Sequence, residues 1–361
     1  MLWNWQLKDW PKFTYSAEAL KAFEKAFLHE AGMLSGTLKY LKTKELETLK
    51  VDLISDEAFK TSAIEGEILD RSSLQSSIKR QFGLKNENKR IPLPEQGISE
   101  MMVDLYKTYD SNLQHSQLFN WHKMLTYGRT DLLHIGKYRT HRDAMQIVSG
   151  RVDMPSIHFE APPSAKVRSE MNVFIDWFNS DKETEPLTKA GIAHLYFESI
   201  HPFEDGNGRI GRAISEKVLS QSLQRPTLIS LSNSIESDRK TYYAALQANS
   251  KTLNITDWLI YSCQLILNAQ RHSQKVIAFI IEKGNFYRNY VELFNARQHK
   301  VVDRIFKEGV SGFKGGLSAD NYITITKTTA STATRDLQKL VEMGAFIKIG
   351  ERKGTRYYLN L

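Results

Sequence analysis

Twelve consecutive residues constrain this chain more than any other stretch: His201-Pro202-Phe203-Glu204-Asp205-Gly206-Asn207-Gly208-Arg209-Ile210-Gly211-Arg212. Apolar residues recur at helical spacing on both sides of it. Ile192, Leu195, Tyr196 and Ile200 lead in, and Ile210, Ala213, Ile214 and Val218 lead out. The segment therefore reads as helix, polar loop, helix, with the loop opening into a helix N-terminus. Gly206 and Gly208 let the backbone turn tightly and approach a ligand. Free N–H groups at the start of the second helix suit an anion. Arg209 and Arg212 add two guanidinium forks, one turn apart on the same face. Asp205 can hold a hard cation such as Mg2+ through a carboxylate oxygen. His201 can take a proton near neutral pH. A polyphosphate on Mg2+, beside a general base, fits all of these groups together.

Two other readings account for less. Gly206-x-Gly208-x-x-Gly211 matches a dinucleotide fingerprint, but that fingerprint follows a strand, and here the preceding run has helical spacing. A plain helix–helix connection explains the Asp-Gly and Asn-Gly pairs but not the order of the charges. The segment resembles the signature of the Fic-domain family, His-x-Phe-x-Asp/Glu-Gly-Asn-Gly-Arg-x-x-Arg, and meets every defined position. Members typically transfer AMP from ATP to a hydroxyl side chain of a protein. The resemblance implies that His201 deprotonates the target hydroxyl and that Asp205 holds Mg2+. It implies a phosphate nest at Gly206, Asn207 and Gly208. Arg209 and Arg212 would meet the outer phosphates, with Ile210 and Gly211 in the same nucleotide-binding segment.

Composition narrows the setting. Hydrophobic residues make up 41% and charged residues 25%, ordinary for a soluble globular protein, and 361 residues allow two or three domains. One cysteine, Cys263, excludes an intrachain disulfide and a cysteine-rich zinc site. The start, Met1-Leu2-Trp3-Asn4-Trp5, does not read as a signal peptide, and no run has the length of a membrane span. A cytoplasmic protein without a membrane partner is expected. The net charge is +8, and +6 of it lies in residues 296–361, where twelve Lys and Arg face six Asp and Glu. That asymmetry suits an anionic partner or a solvated basic surface.

Taken in order, the chain opens with Trp3, Trp5, Trp10 and Phe13 in its first fifteen residues. They read as an aromatic strap on the core. This start also resembles an N-terminal domain that precedes the Fic core in many bacterial members. Amphipathic helices follow, with Leu20, Phe23 and Phe27 on one stripe and Leu53, Ile54, Ala58 and Phe59 on the next. The second ends in Thr61-Ser62-Ala63-Ile64-Glu65-Gly66, which read alone is a helix end with an exposed glutamate. Against the family it resembles the inhibitory motif Ser/Thr-x-x-x-Glu-Gly/Asn, which makes Glu65 the inhibitory residue. Asp70 caps a further helix through Leu74, Ile78 and Phe82. The stretch Lys85 to Pro94 reads as a loop and boundary, with helices resuming near Ile98 and near Phe119.

From Gly136 to Val167 the pattern changes to a hairpin. Met145–Val148 and Ile157–Phe159 are its strands and Ser149-Gly150 its turn. The resemblance implies that this hairpin is a flap positioning the target segment, with Val148, Ser149 and Gly150 facing the nucleotide. It likewise implies that Tyr243 and Asn249, in the helical run Tyr242–Asn249, lie near the adenine and ribose. A helix with Trp258, Ile260, Leu265 and Ile266 closes the core. From Val301 the chain reads as a winged helix: three helices, then strands Phe346–Ile349 and Arg356–Leu359. Thr329, Ser331, Thr332 and Arg335 have the polar, basic character that DNA contact needs, and protein contact is an equal use of that fold.

The expected fold is mainly α. An N-terminal helical region (1–95) precedes a Fic-type helical bundle with a β-hairpin flap (96–284) and a winged-helix domain (285–361). The expected function is AMP transfer from ATP to a Tyr, Thr or Ser hydroxyl of a protein, self-modification included, autoinhibited by Glu65. Removal of AMP by the same site, and a DNA-binding regulator with a nucleotide-sensing core, remain alternatives. A second copy of the chain and DNA remain open as partners.

Overall fold

A computed structural model describes residues 2–85, 90–151, 154–313 and 315–361. It divides into two compact units, Met1–Lys39 with Lys50–Ser273, and Tyr40–Leu49 with Gln274–Leu361. The expected boundary near residue 95 falls inside the first unit. Among the described residues no helix is long and apolar enough to cross a membrane.

The first unit is helical apart from one hairpin. Helix α1 (Ala17–Leu38) and α2 (Thr43–Ile64), which belongs to this unit from Lys50 onward, are followed by α3 (Arg71–Gln81). Asp70 caps α3 as expected, accepting from the Ser73 N–H at 2.8 Å. The next helix, α4 (Leu93–Lys107), starts five residues before Ile98. Pro94 suits its first turn, where a missing N–H costs nothing. In the loop before it, residues 86–89 lie outside the described residues. Helix α5 (His115–Leu125) leads to strands β1 (Gln146–Arg151) and β2 (Met154–Glu160), which pair antiparallel. Ser149 and Gly150, expected in the turn, instead lie within β1 opposite Ser156 and Pro155. The register shifts between Ile147 and Val148, and the strand continues past Gly150 to Arg151. The connection at 152–153 lies outside the described residues.

Helix α6 (Ser164–Ser180) precedes α7 (Pro186–Ile200) and α8 (Asn207–Ser222), which pack on each other and form the centre of the unit. Leu187, Ala190, Leu195, Phe197 and Ile200 of α7 are all buried. Burial on every side requires that the N-terminus of α7 be satisfied internally. Glu24 of α1 does this, accepting from the N–H groups of Leu187 (3.1 Å) and Thr188 (2.8 Å). The tryptophan strap closes over this core. Trp10 packs edge-on against Tyr196, Trp3 against Phe159 of β2, and Trp5 donates to the Glu160 carbonyl at 2.7 Å. Helices α9 (Leu231–Ser237), α10 (Arg239–Asn249) and the start of α11 (Thr256–Tyr290) complete the unit.

The second unit contains the end of α11, then α12 (Ala296–Phe306), α13 (Ala319–Thr326) and α14 (Ala330–Glu342). Strands β3 (Phe346–Ile349) and β4 (Arg356–Leu359) follow and pair antiparallel. Val301, Val302, Leu317, Tyr322, Leu337, Leu340 and Phe346 form its core.

Candidate active site

His201 ends α7 in a left-handed conformation, with φ 50° and ψ 59°. A non-glycine residue holds that geometry only where its surroundings fix it. Here Arg139 does so. It is 1% exposed and donates from Nε to the His201 carbonyl at 2.8 Å, and from Nη2 to the Pro162 carbonyl at 2.6 Å and the Ile200 carbonyl at 3.3 Å. Burial without a carboxylate partner pulls the Arg139 guanidinium down to about 10. One turn back on α7, the Glu198 carboxylate stands 3.6 Å from His201 Nδ1. Burial alone would raise the Glu198 carboxyl, but the imidazoles of His201 and His194 and the Arg212 guanidinium hold it below its ordinary range.

The loop is closed by its own residues. Phe203 is buried and stacks on His122 with centroids 4.4 Å apart. The Asn207 amide accepts from the Phe203 N–H and donates to the Phe203 carbonyl, both at 2.9 Å. That side chain is therefore committed to the loop, and only its backbone N–H remains for a ligand at the start of α8. Gly206 caps the helix at φ 81°, a conformation that favours glycine. Asp205 accepts from Arg129 Nη1 at 2.7 Å and lies 3.5 Å from Arg209 Nη2. Burial would raise its carboxyl, but these two arginines hold it below the ordinary range. Burial pushes the His122 imidazole down to about 4, so it is neutral, with Nδ1 accepting from the Gly136 N–H at 2.9 Å.

The two arginines of α8 are buried and both meet the end of α2. Arg212, 1% exposed, donates from Nη2 to Glu65 Oε1 at 2.7 Å and from Nε to the Thr61 hydroxyl at 2.8 Å. Burial would lower its guanidinium, but the Glu65 carboxylate raises it above the ordinary value. Arg209, 2% exposed, donates from Nη1 to Glu67 Oε2 at 2.7 Å. Gly208 lies so close beneath Glu65 that a Cβ there would stand 2.4 Å from Glu65 Oε1.

These residues border a cavity of about 680 Å³. Among the residues singled out in the sequence, Glu65, Val148, Ser149, His201, Gly208, Arg212 and Tyr243 line it. Asp205, Gly206, Asn207 and Arg209 lie around its loop end but are not lining residues. Ile210 is fully buried and Gly211 packs against Glu198, so both face the core. Asn249 is also turned inward, its amide donating to the Ala245 carbonyl at 2.9 Å, while Leu246, Gln247 and Ser250 line the cavity instead. Gly150 is placed only through its pairing with Pro155.

The Fic/DOC family model matches residues 112–219, which include the signature loop and both helices flanking it. The chain contains a Fic domain. Residues 3–84, ahead of the Fic domain, match a domain of unknown function, DUF4172. The chain is 33% identical over 89 residues to a probable protein adenylyltransferase of Aquifex aeolicus, a match covering 25% of this chain and 26% of that protein. It is 25% identical over 188 residues to protein adenylyltransferase fic-1 of Caenorhabditis briggsae, covering 51% and 33% respectively. These matches thus span a third or less of each curated relative. A Fic family protein from Desulfovibrio desulfuricans shares the fold, with a TM-score of 0.55 and 20% identity over 97% of this chain and 98% of that one. Fic-1 from C. elegans (residues 134–508) matches with a TM-score of 0.50 and 20% identity over 74% of each chain.

Several residues around the Fic loop carry no mark in a reading of the sequence. Arg129 and Arg139 come from the segment between α5 and β1, and their sequence neighbours do not show that they serve the loop, because the loop atoms they meet, Asp205 and the His201 carbonyl, lie more than sixty residues away. Glu198 was visible one turn before His201, on the same face of α7. Glu67 follows Gly66 directly, and a glycine turn flanked by two carboxylates was a signal available in the sequence.

Proposed function

We propose that this chain is a protein adenylyltransferase whose resting state is held in check by Glu65. The observation that carries the reading is the convergence of His201, Gly208 and Arg212 on one cavity, with the Glu65 carboxylate seated on Arg212 at 2.7 Å. A carboxylate on that fork occupies the place a terminal phosphate of ATP would take. The names of the curated relatives support the same activity.

In the proposed reaction a protein hydroxyl attacks the α-phosphate of ATP. The new O–P bond forms as the bond to the β-phosphate oxygen breaks, and pyrophosphate leaves. His201 takes the hydroxyl proton. Its Nδ1 faces Glu198, which leaves Nε2 for that step. The free N–H groups at the start of α8 and the Arg212 guanidinium bind phosphate oxygens in a water-poor site. Asp205 would hold Mg2+ once Arg129 gives up its bond: it is a partly exposed, ionised carboxylate at the loop end, and Mg2+ often takes only one or two protein carboxylates beside substrate phosphates. Bound there, Mg2+ would neutralise charge on the phosphates. Val148 and Ser149 on β1 and Tyr243 on α10 would border the nucleotide.

The test is incorporation of AMP from α-labelled ATP into protein, the chain itself included. Glu65→Gly should exceed wild type at saturating ATP and Mg2+, and Glu65→Gly with His201→Ala should be silent. A folded Glu65→Gly protein no faster than wild type removes the inhibitory role. We read the C-terminal unit as a winged helix. The exposed Ser331, Thr334, Arg335 and Lys339 along α14 are the face by which it would meet an anionic partner. Titration with duplex DNA at several salt concentrations tests that reading.

A further inference from the structure

The structure assigns Glu67 as a second occluding carboxylate, which holds Arg209 as Glu65 holds Arg212. The turn Glu65-Gly66-Glu67 then closes both guanidinium groups of the signature helix at once. This rests on the reading of the cavity as a nucleotide site.

The geometry begins with the end of α2. The Gly66 N–H donates to the Ala63 carbonyl at 3.1 Å and the Glu67 N–H to the Ser62 carbonyl at 3.0 Å, with Gly66 at φ 84°. This is the glycine-ended helix stop that fixes the two residues after the cap. It directs two carboxylates, two positions apart, at two arginines that lie one turn apart on α8. Glu67 Oε2 meets Arg209 Nη1 at 2.7 Å, as Glu65 Oε1 meets Arg212 Nη2 at 2.7 Å. Both guanidinium groups are at most 2% exposed, whereas the two carboxylates are 33% and 28% exposed. The cations are therefore fixed and the anions sit at the solvent edge, able to swing away.

Each arginine also keeps a buried nitrogen with no hydrogen-bond partner, Nε of Arg209 and Nη1 of Arg212. A pair built only for stability would satisfy these atoms, since an unpaired buried donor is costly. Phosphate oxygens, with more acceptor sites than the carboxylates provide, would satisfy them. Removing Glu65 alone thus leaves half of the obstruction in place. Glu67 is occluding rather than catalytic: it touches neither the reacting atoms nor His201.

The experiment uses the full chain in four forms: wild type, Glu67→Gln, Glu65→Gly and the double variant. ATP with Mg2+ is titrated by calorimetry, and AMP incorporation from α-labelled ATP is measured alongside. Glutamine keeps the shape of residue 67 and removes its charge. Relative to Glu65→Gly, the double variant should bind ATP roughly 3- to 10-fold more tightly, as loss of one competing charge-assisted pair predicts. Equal ATP affinity of Glu65→Gly and the double variant overturns the assignment, as does a lower melting temperature with no gain in affinity. If affinity rises through the series while no form transfers AMP, the second occlusion stands and the transferase reading falls. If Glu65→Gly transfers AMP and Glu67→Gln adds nothing in either assay, the transferase reading stands and the role of Glu67 falls.

Discussion

The signature loop and the C-terminal unit both place helices around short turns, yet they treat buried charge in opposite ways. In the C-terminal unit the buried carboxylate of Asp336 is satisfied from several sides. It accepts from Arg297 Nε at 2.7 Å, Tyr322 at 3.0 Å and Asn295 at 3.1 Å. The fully buried Gln298 is satisfied too, its amide donating to the Asp336 carbonyl at 3.0 Å, and Val301, Val302, Leu337 and Leu340 pack around them. Around the signature loop, His201, Arg209 and Arg212 are all buried, and each retains a nitrogen without a hydrogen-bond partner. A closed polar network stabilises a module; of the open nitrogens, Nη1 belongs to Arg212, which lines the cavity, and a donor left open there is what a ligand needs. The contrast separates the part of the chain that holds a shape from the part prepared for chemistry.

The largest effects should divide along that line. His201→Ala should lower AMP transfer about 100- to 10,000-fold, as loss of a general base does. Its calorimetric melting should fall far less than its activity, because His201 Nδ1 meets only Glu198, at 3.6 Å. Leu337→Ala should do the reverse. Emptying that fully buried position should cost the C-terminal unit about 2–5 kcal/mol in urea unfolding while leaving AMP transfer in place. Equal losses of activity in both variants would erase the distinction between the two regions.

Arg139→Lys sharpens the comparison, since Arg139 holds the loop without touching the cavity. Lysine cannot span the carbonyls of His201, Ile200 and Pro162 together. Roughly 2–4 kcal/mol of stability should be lost from carbonyls left unpaired. Turnover should fall with little change in ATP affinity, because His201 loses its fixed left-handed geometry. Turnover equal to wild type would show that the loop holds His201 unaided.

The smallest effect is a pH dependence. The His122 imidazole, pushed down to about 4 in the folded chain, binds fewer protons there than in the unfolded chain, where its value is ordinary. Stability should therefore fall as pH drops from about 6.5 towards 4, with a contribution of roughly 2 kcal/mol lost by pH 5. Unfolding of wild type and His122→Gln at pH 7 and pH 5 checks it. The variant should show the smaller difference. Identical slopes would mean that folding does not lower the His122 imidazole.

Much of the architecture was legible because it is local. Helical spacing on both sides of the signature, the Asp70 cap and strands β3 and β4 follow from period and turn chemistry, and the structure places them at the expected residues. The stripe Val167, Met171, Phe174, Ile175 and Phe178 made α6 legible too, although the hairpin drew the reading away from it. The hairpin turn was misplaced because Ser149-Gly150 has turn chemistry when read alone, whereas pairing with Ser156 and Pro155, which one strand does not encode, keeps both in the ladder.

For the site, the sequence by itself determined which kinds of group stand in the loop and in what order, because covalent spacing fixes a base, a carboxylate and two arginines within twelve residues. The tertiary structure alone decided their partners. Arg212 meets Glu65 across 147 positions, Arg209 meets Glu67 across 142 and Asp205 meets Arg129 across 76. It also turned Asn249 and Ile210 towards the core and left Gly208 under the Glu65 carboxylate. A buried guanidinium demands a carboxylate or a phosphate, but its own sequence neighbourhood does not say which one will reach it; that is settled only when α2 packs beside α8.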